Sequence, residues 1–185
     1  MSSSDLIDIF TAIAAAIDES EIEALLVGGL AVNFYGYSRT TVDIDFMIAA
    51  TDTENVMKLM AELGFTEFSK ITNVVFFGKP ESPVRVDFLK VDNGTIAKLV
   101  SRAKTVELAG RRVKIPCLQD LIAMKLFAAA HAEARRTDRD LPDVANLAVL
   151  NDLDCEHDLK HICDQHGSEE IYADLCQRIE QLKKS

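Results

Sequence analysis

The sequence predicts an α+β fold: a mixed sheet flanked by helices, followed by a helical C-terminal region. Three observations carry this. Short apolar, β-branched or aromatic runs alternate with helical stretches as far as Pro116. Beyond Pro116 only helix-forming sequence follows. Two strand-like runs, "VDIDF" and "VDF", place carboxylates inside an apolar alternation where a sheet would bury itself.

In chain order, Ser2 and Asp5 have capping-box spacing ahead of a helix with Leu6, Ile9, Ile13 and Ile17 on one face. Acids near its start and the lack of a basic leader argue for an amphipathic helix rather than a signal peptide. Residues 24–27 read as a strand running into Gly28-Gly29, and 30–35 as a short helix closed by Gly36. Residues 42–48 read as a strand with Val42, Ile44 and Phe46 facing the core, and 53–63 as a helix ended by Gly64. Strand-like runs follow at 65–69, 73–78 and 84–91, then a helix over 95–103 and a hairpin, "VELAGRRVKI", turning at Ala109-Gly110.

"LQDLIAMKLFAAAHAEARR" predicts one helix, and "TDRDLPDVANLAVL" a second with Pro142 near its first turn. Helices over 156–166 and 168–182 complete the chain. The organisation predicted is a core over 1–115 and a helical region over 116–185.

Composition narrows the function classes. The chain has 185 residues, is 48% hydrophobic and carries a net charge of −10, which disfavours broad nucleic-acid binding. No apolar run reaches the ~18 uncharged residues of a membrane span. The charge is uneven: residues 102–114 hold five basic residues and one acid, and 152–174 hold eight acids and one lysine. The basic stretch suits a polyanion or a charge-defended hairpin edge. Four cysteines without a CxxC pair point to reduced thiols and a cytoplasmic location.

Alternate residues of a strand share a face, so Asp43 and Asp45 point the same way. At ~7 Å their repulsion is about 2–3 kcal/mol at an effective dielectric near 20. An exposed edge strand would tolerate this, and a divalent cation would reverse its sign. Asp87 in "PVRVDFLKV" places a third carboxylate in a second alternation; if the strands are neighbours, the three converge into the hard-oxygen environment that Mg²⁺ accepts. Gly28 and Gly29 lie where backbone N–H groups could approach an anion, or where a simple tight turn would do.

The ordered set Gly28-Gly29, Asp43-Ile44-Asp45 and Asp87 resembles the nucleotidyltransferase superfamily with the DNA polymerase β type of core. The string "VGGLAVNFYGYSRTTVDIDF", with Arg39 and Thr41 ahead of the aspartates, looks most like its abortive-infection and type IV toxin branch. The likeness spans about residues 22–148. It implies transfer of NMP from an NTP to an acceptor hydroxyl, with Asp43, Asp45 and Asp87 holding two Mg²⁺ ions (or Mn²⁺). It also implies nucleotide contacts from Gly28, Gly29, Arg39, Thr41 and Lys125, and places Asp140 and Asp143 nearby. The acceptor expected for that branch is RNA, a tRNA 3′ end, with a cognate antitoxin as partner. A small molecule such as an antibiotic, a protein hydroxyl, or a silent binding module are the alternatives.

Read from the residues alone, Lys125 at the margin of a packed helix face is either a phosphate ligand or a lysine snorkelling over apolar surface. Asp140 could be an N-cap, Asp143 a first-turn acid favoured by the helix dipole, and Arg39 a partner for a neighbouring acid. Cys155, His157, His161 and Cys163 form C-x-H-x₃-H-x-C, but one continuous helix cannot turn all four to one ion.

Overall fold

The computed structural model describes residues 3–80, 82–131 and 134–184. Ser2, the expected cap, lies outside them. The chain forms two compact units: residues 1–31 with 40–117, and residues 32–39 with 118–185.

The first unit begins with α1 (Ser3–Asp18) and β1 (Ala24–Leu26). Helix α2 (Gly28–Phe34) then starts at the glycines themselves, two residues before the expected position, and its last turn belongs to the second unit. Strand β2 (Asp43–Ala49), α3 (Thr53–Glu62), β3 (Thr66–Ile71), β4 (Val74–Gly78), β5 (Arg85–Val91) and α4 (Asn93–Arg102) follow. The hairpin of β6 (Lys104–Leu108) and β7 (Arg111–Ile115) ends the unit.

The main sheet has five strands in the order β1-β2-β5-β4-β3, and the hairpin is a separate two-stranded sheet. Among the described residues only β2 and β5 pair in parallel and the other pairings of this sheet are antiparallel, so the sheet is mixed. The two parallel strands are joined through α3 and the β3–β4 hairpin, the long connection that parallel pairing requires. Helix α3 stops in a Schellman motif: Gly64 takes φ +79°, its N–H reaches Ala61 O at 3.0 Å, and the Phe65 N–H reaches Met60 O at 2.9 Å. Helix α4 is capped by Asp92, whose carboxylate accepts the Thr95 N–H at 2.9 Å.

One face of the sheet is apolar. Ile44, Phe46 and Ile48 of β2 lie beside Val86 and Phe88 of β5, all buried. The Phe46 and Phe88 rings stack at 5.5 Å between centroids, and Phe77 meets Phe88 edge-on at 5.8 Å. Val42, expected in this core, precedes the strand and is 42% exposed; pairing starts only at Asp43.

The second unit holds α5 (Leu118–His131), α6 (Ala134–Leu150), a π-helical turn (Cys155–Leu159), α7 (Lys160–His166) and α8 (Glu169–Lys184). Helix α6 packs against both α5 and α8. Its buried stripe includes Leu141, Val144, Leu147 and Ala148, and Leu121, Ile122, Leu126, Leu175 and Ile179 are buried on the neighbouring helices.

Three expectations change here. Residues 134–136 belong to α6 rather than to the preceding helix. Pro142 therefore lies inside α6, where it has no N–H to donate to the carbonyl of Asp138 four residues earlier; Asp138 is an exposed residue. The expected helix from 156 opens as a π turn, with Asp154 accepting from Glu156 N and His157 N.

Candidate active site

Asp45 of β2 and Asp87 of β5 are register partners on adjacent parallel strands, and Asp43 opposes Arg85 two positions earlier. With side chains alternating along each strand, Asp43, Asp45, Arg85 and Asp87 all occupy one face, opposite the phenylalanine layer. The strands supply this arrangement directly: each apolar residue between the charged ones is buried on the other side.

Gly28 completes the face. It takes φ +61°, and a Cβ built there would lie 1.9 Å from Asp45 Oδ2. Only glycine leaves room for that carboxylate. The anion beside Gly28 is therefore Asp45 itself. The Val27 N–H donates to Asp45 O at 2.8 Å, tying β1 and the start of α2 to the aspartate. Thr41 anchors the approach to β2 by donating its hydroxyl to Asp43 O at 3.1 Å.

Arg85 is the residue that the sequence reading missed. Its Nε donates to Asp87 Oδ1 at 2.8 Å and its Nη2 to Asp43 Oδ2 at 3.1 Å, with the guanidinium 5.6 Å from the centre of the Phe76 ring. The signal was present in "RVD", because residues two apart on a strand share a face. Burial pushes the Asp87 carboxyl up from 3.8 to about 6; Arg85 opposes the rise, and the Asp45 and Asp43 charges add to it. Burial pulls the Arg85 guanidinium down, but the attraction of Asp87 and Asp43 outweighs it and leaves the pKa raised.

Three carboxylates and one guanidinium leave the ionised face with two negative charges in excess, the charge that one divalent cation cancels. The donor set, hard oxygens on one face, suits Mg²⁺. The convergence expected from the sequence is nevertheless incomplete. Among the described residues no three His, Cys, Asp or Glu side chains are gathered as an ion would require, and Arg85 bridges two of the acids instead.

Gly29 lies in the first turn of α2, in the first unit, while Arg39, Lys125, Asp140 and Asp143 form a cluster within the second. Lys125 Nζ lies 2.7 Å from Asp140 Oδ1 and 2.7 Å from Asp143 Oδ2. Arg39 holds the other side of Asp143, with Nε at 2.8 Å from Oδ1 and Nη2 at 3.0 Å from Oδ2. Lys125, Asp140 and Asp143 are buried, so Lys125 is an ion-paired core residue and not a snorkelling one. Asp140 and Asp143 sit well inside α6, which replaces the N-cap and first-turn readings. Asn33 was not foreseen either; its amide brackets Arg39, accepting from the Arg39 N–H and donating to Arg39 O, both at 3.0 Å.

The C-x-H-x₃-H-x-C residues do something else. Burial first, and then the neighbouring Cys176 of α8, push the Cys155 thiol up; Cys163 is buried, and His157 and His161 are exposed. On the basic stretch, Lys114 pairs with Glu23 at 2.9 Å.

Comparison with curated proteins gives no match. Solved structures share the fold at low identity. The antibiotic-resistance factor ANT(2'')-Ia matches with a TM-score of 0.62 and 15% identity, over 99% of this chain and 97% of that one. An antigenic nucleotidyltransferase-like protein from Paracoccidioides brasiliensis matches with a TM-score of 0.62 and 17% identity, over 100% and 93%. The lincosamide antibiotic adenylyltransferase LnuA, with lincomycin bound, matches with a TM-score of 0.57 and 14% identity, over 81% and 98%. The sequence itself matches the family model described as nucleotidyl transferase AbiEii toxin, type IV TA system, over residues 11–181. A match of that extent leaves little of the chain outside it: this protein belongs to the AbiEii family and is a nucleotidyltransferase.

Proposed function

We propose that this enzyme transfers NMP from an NTP to an acceptor hydroxyl on RNA, as the toxin of a type IV toxin–antitoxin pair acting in the cytoplasm. A single observation carries the chemistry: Asp43, Asp45 and Asp87 share one sheet face with negative charge in excess. The family membership supports the toxin setting.

Asp43, Asp45 and Asp87 are the residues to hold divalent metal, Mg²⁺ or Mn²⁺. The bound ion supplies charge neutralisation for the triphosphate and for the leaving pyrophosphate. Asp87 is suited to draw off the proton of the acceptor hydroxyl, because its raised pKa brings its basicity nearer neutrality. The acceptor oxygen bonds to the α-phosphorus as the bond to the bridging oxygen breaks, and pyrophosphate departs. Gly28 holds Asp45 in place by leaving its carboxylate room, and Thr41 fixes the strand entry at Asp43. Gly29, Arg39 and Lys125 are nucleotide contacts by family resemblance, although Lys125 is here ion-paired to Asp140 and Asp143.

The test is incubation with each labelled NTP, Mg²⁺ and total RNA. Label on RNA that disappears in Asp45→Asn supports this reading. Label on a small molecule instead supports the second reading, modification of an antibiotic, which the fold neighbours ANT(2'')-Ia and LnuA motivate. No transfer to RNA, protein or small molecules would refute both.

A further inference from the structure

We infer that Arg85 is a built-in cation that occupies the carboxylate face when no divalent ion is bound and must withdraw before one can bind. The inference rests on the reading of Asp43, Asp45 and Asp87 as metal ligands.

The guanidinium uses two separate donors to bridge the two strands, Nη2 to Asp43 at 3.1 Å and Nε to Asp87 at 2.8 Å. Those oxygens are the ones an ion on this face would need. The fork also explains why three acids on one face are not gathered around a point: two of them are drawn to the arginine. Arg85 is 42% exposed while Asp87 beside it is 7% exposed, so the guanidinium has solvent on its open side into which it can withdraw. Its backbone is fixed in the β2–β5 ladder opposite Asp43, so withdrawal involves the side chain alone. A guanidinium carries one diffuse charge and a divalent ion carries two compact ones, so the ion wins this competition at sufficient concentration, at the cost of reduced apparent affinity.

The experiment is Mn²⁺ binding to the whole protein without nucleotide, followed by electron paramagnetic resonance of the free ion, for wild type, Arg85→Gln, Arg85→Lys and Asp43→Asn. Competition predicts that Arg85→Gln binds Mn²⁺ about 10-fold more tightly than wild type or better. Arg85→Lys, which keeps the charge but loses the fork, should lie between them. Melting without metal is a second reading: Arg85→Gln should melt below wild type and recover when Mn²⁺ is added. Equal or weaker Mn²⁺ binding in Arg85→Gln overturns the inference, because Arg85 would then merely position the acids. If Arg85→Gln does not fold, Arg85→Lys decides, tighter binding supporting the inference and equal or weaker binding overturning it. Binding that is absent from all variants, or unchanged in Asp43→Asn, removes the metal-ligand reading itself, an outcome distinct from the failure of Arg85 alone.

Discussion

Asp45 Oδ2 stands where residue 28 would carry its Cβ, 1.9 Å from that position. The absence of a side chain at Gly28 is therefore what gives the carboxylate its place. Gly28 also adopts φ +61°, which a residue with a Cβ pays for in backbone strain. Gly28→Ala should destabilise the fold by about 2 kcal/mol and abolish nucleotidyl transfer, because either Asp45 or the start of α2 must shift. Urea unfolding and the labelled-NTP assay measure the two effects. Full activity in Gly28→Ala would show that Asp45 needs no such place.

Asp43 shares its face with Asp45 and Asp87, so ligand binding there should depend on it. Mg²⁺ with NTP should raise the melting temperature of the wild type, by mass action on the folded state. In Asp43→Asn that rise should vanish. Differential scanning fluorimetry with and without Mg²⁺ and NTP checks this, and an undiminished rise in the variant would relocate the site.

Asp87 has a pKa raised to about 6 by burial, against 3.8 for the free group. The folded state therefore binds this proton more tightly than the unfolded state. Its stabilising contribution is complete below about pH 4 and is lost as pH rises through 6, a change of at most about 3 kcal/mol. In metal-free buffer, stability should fall over pH 4–6 in the wild type and fall less in Asp87→Asn. Divalent-ion binding should run in the opposite sense, strengthening as pH rises through 6, because the proton and the ion compete for the same carboxylate. Urea titrations and Mn²⁺ binding at a series of pH values test both signs.

Lys125 is buried against Asp140 and Asp143, and the second of these also holds Arg39. Lys125→Met would leave the two carboxylates with only the Arg39 contact to Asp143 and should cost about 3–5 kcal/mol. The double variant Lys125→Met with Asp140→Leu should recover part of that loss, since one stranded charge is gone. Chemical denaturation of the single and double variants measures the coupling. A loss below about 1 kcal/mol in Lys125→Met would mean that the cluster contributes little to folding.

Much of the fold was legible because its signals are local. The β2 and β5 alternations are periodic over a few residues, Gly64 stops α3 at its expected place, and Ala109-Gly110 turns the last hairpin. The common direction of Asp43 and Asp45 follows from the pleat alone. The errors also have local causes. Pro142 suits the first turn of a helix by its fixed φ, yet α6 starts eight residues earlier, at Ala134, and carries it inside. The π turn at Cys155–Leu159 has no periodic signature to read.

The sequence by itself determined the order of strands and helices along the chain and the paired direction of two aspartates, since each depends on backbone geometry over a few neighbouring residues; that Gly28 makes room for Asp45, 17 positions on, came only from the tertiary structure. Tertiary structure alone decided what each charge meets: Arg85 on Asp43, 42 positions away, and Arg39 on Asp143, 104 positions away. A buried charge takes whatever partner the packed chain brings within hydrogen-bond reach, and that distance through space is not written in the spacing along the chain.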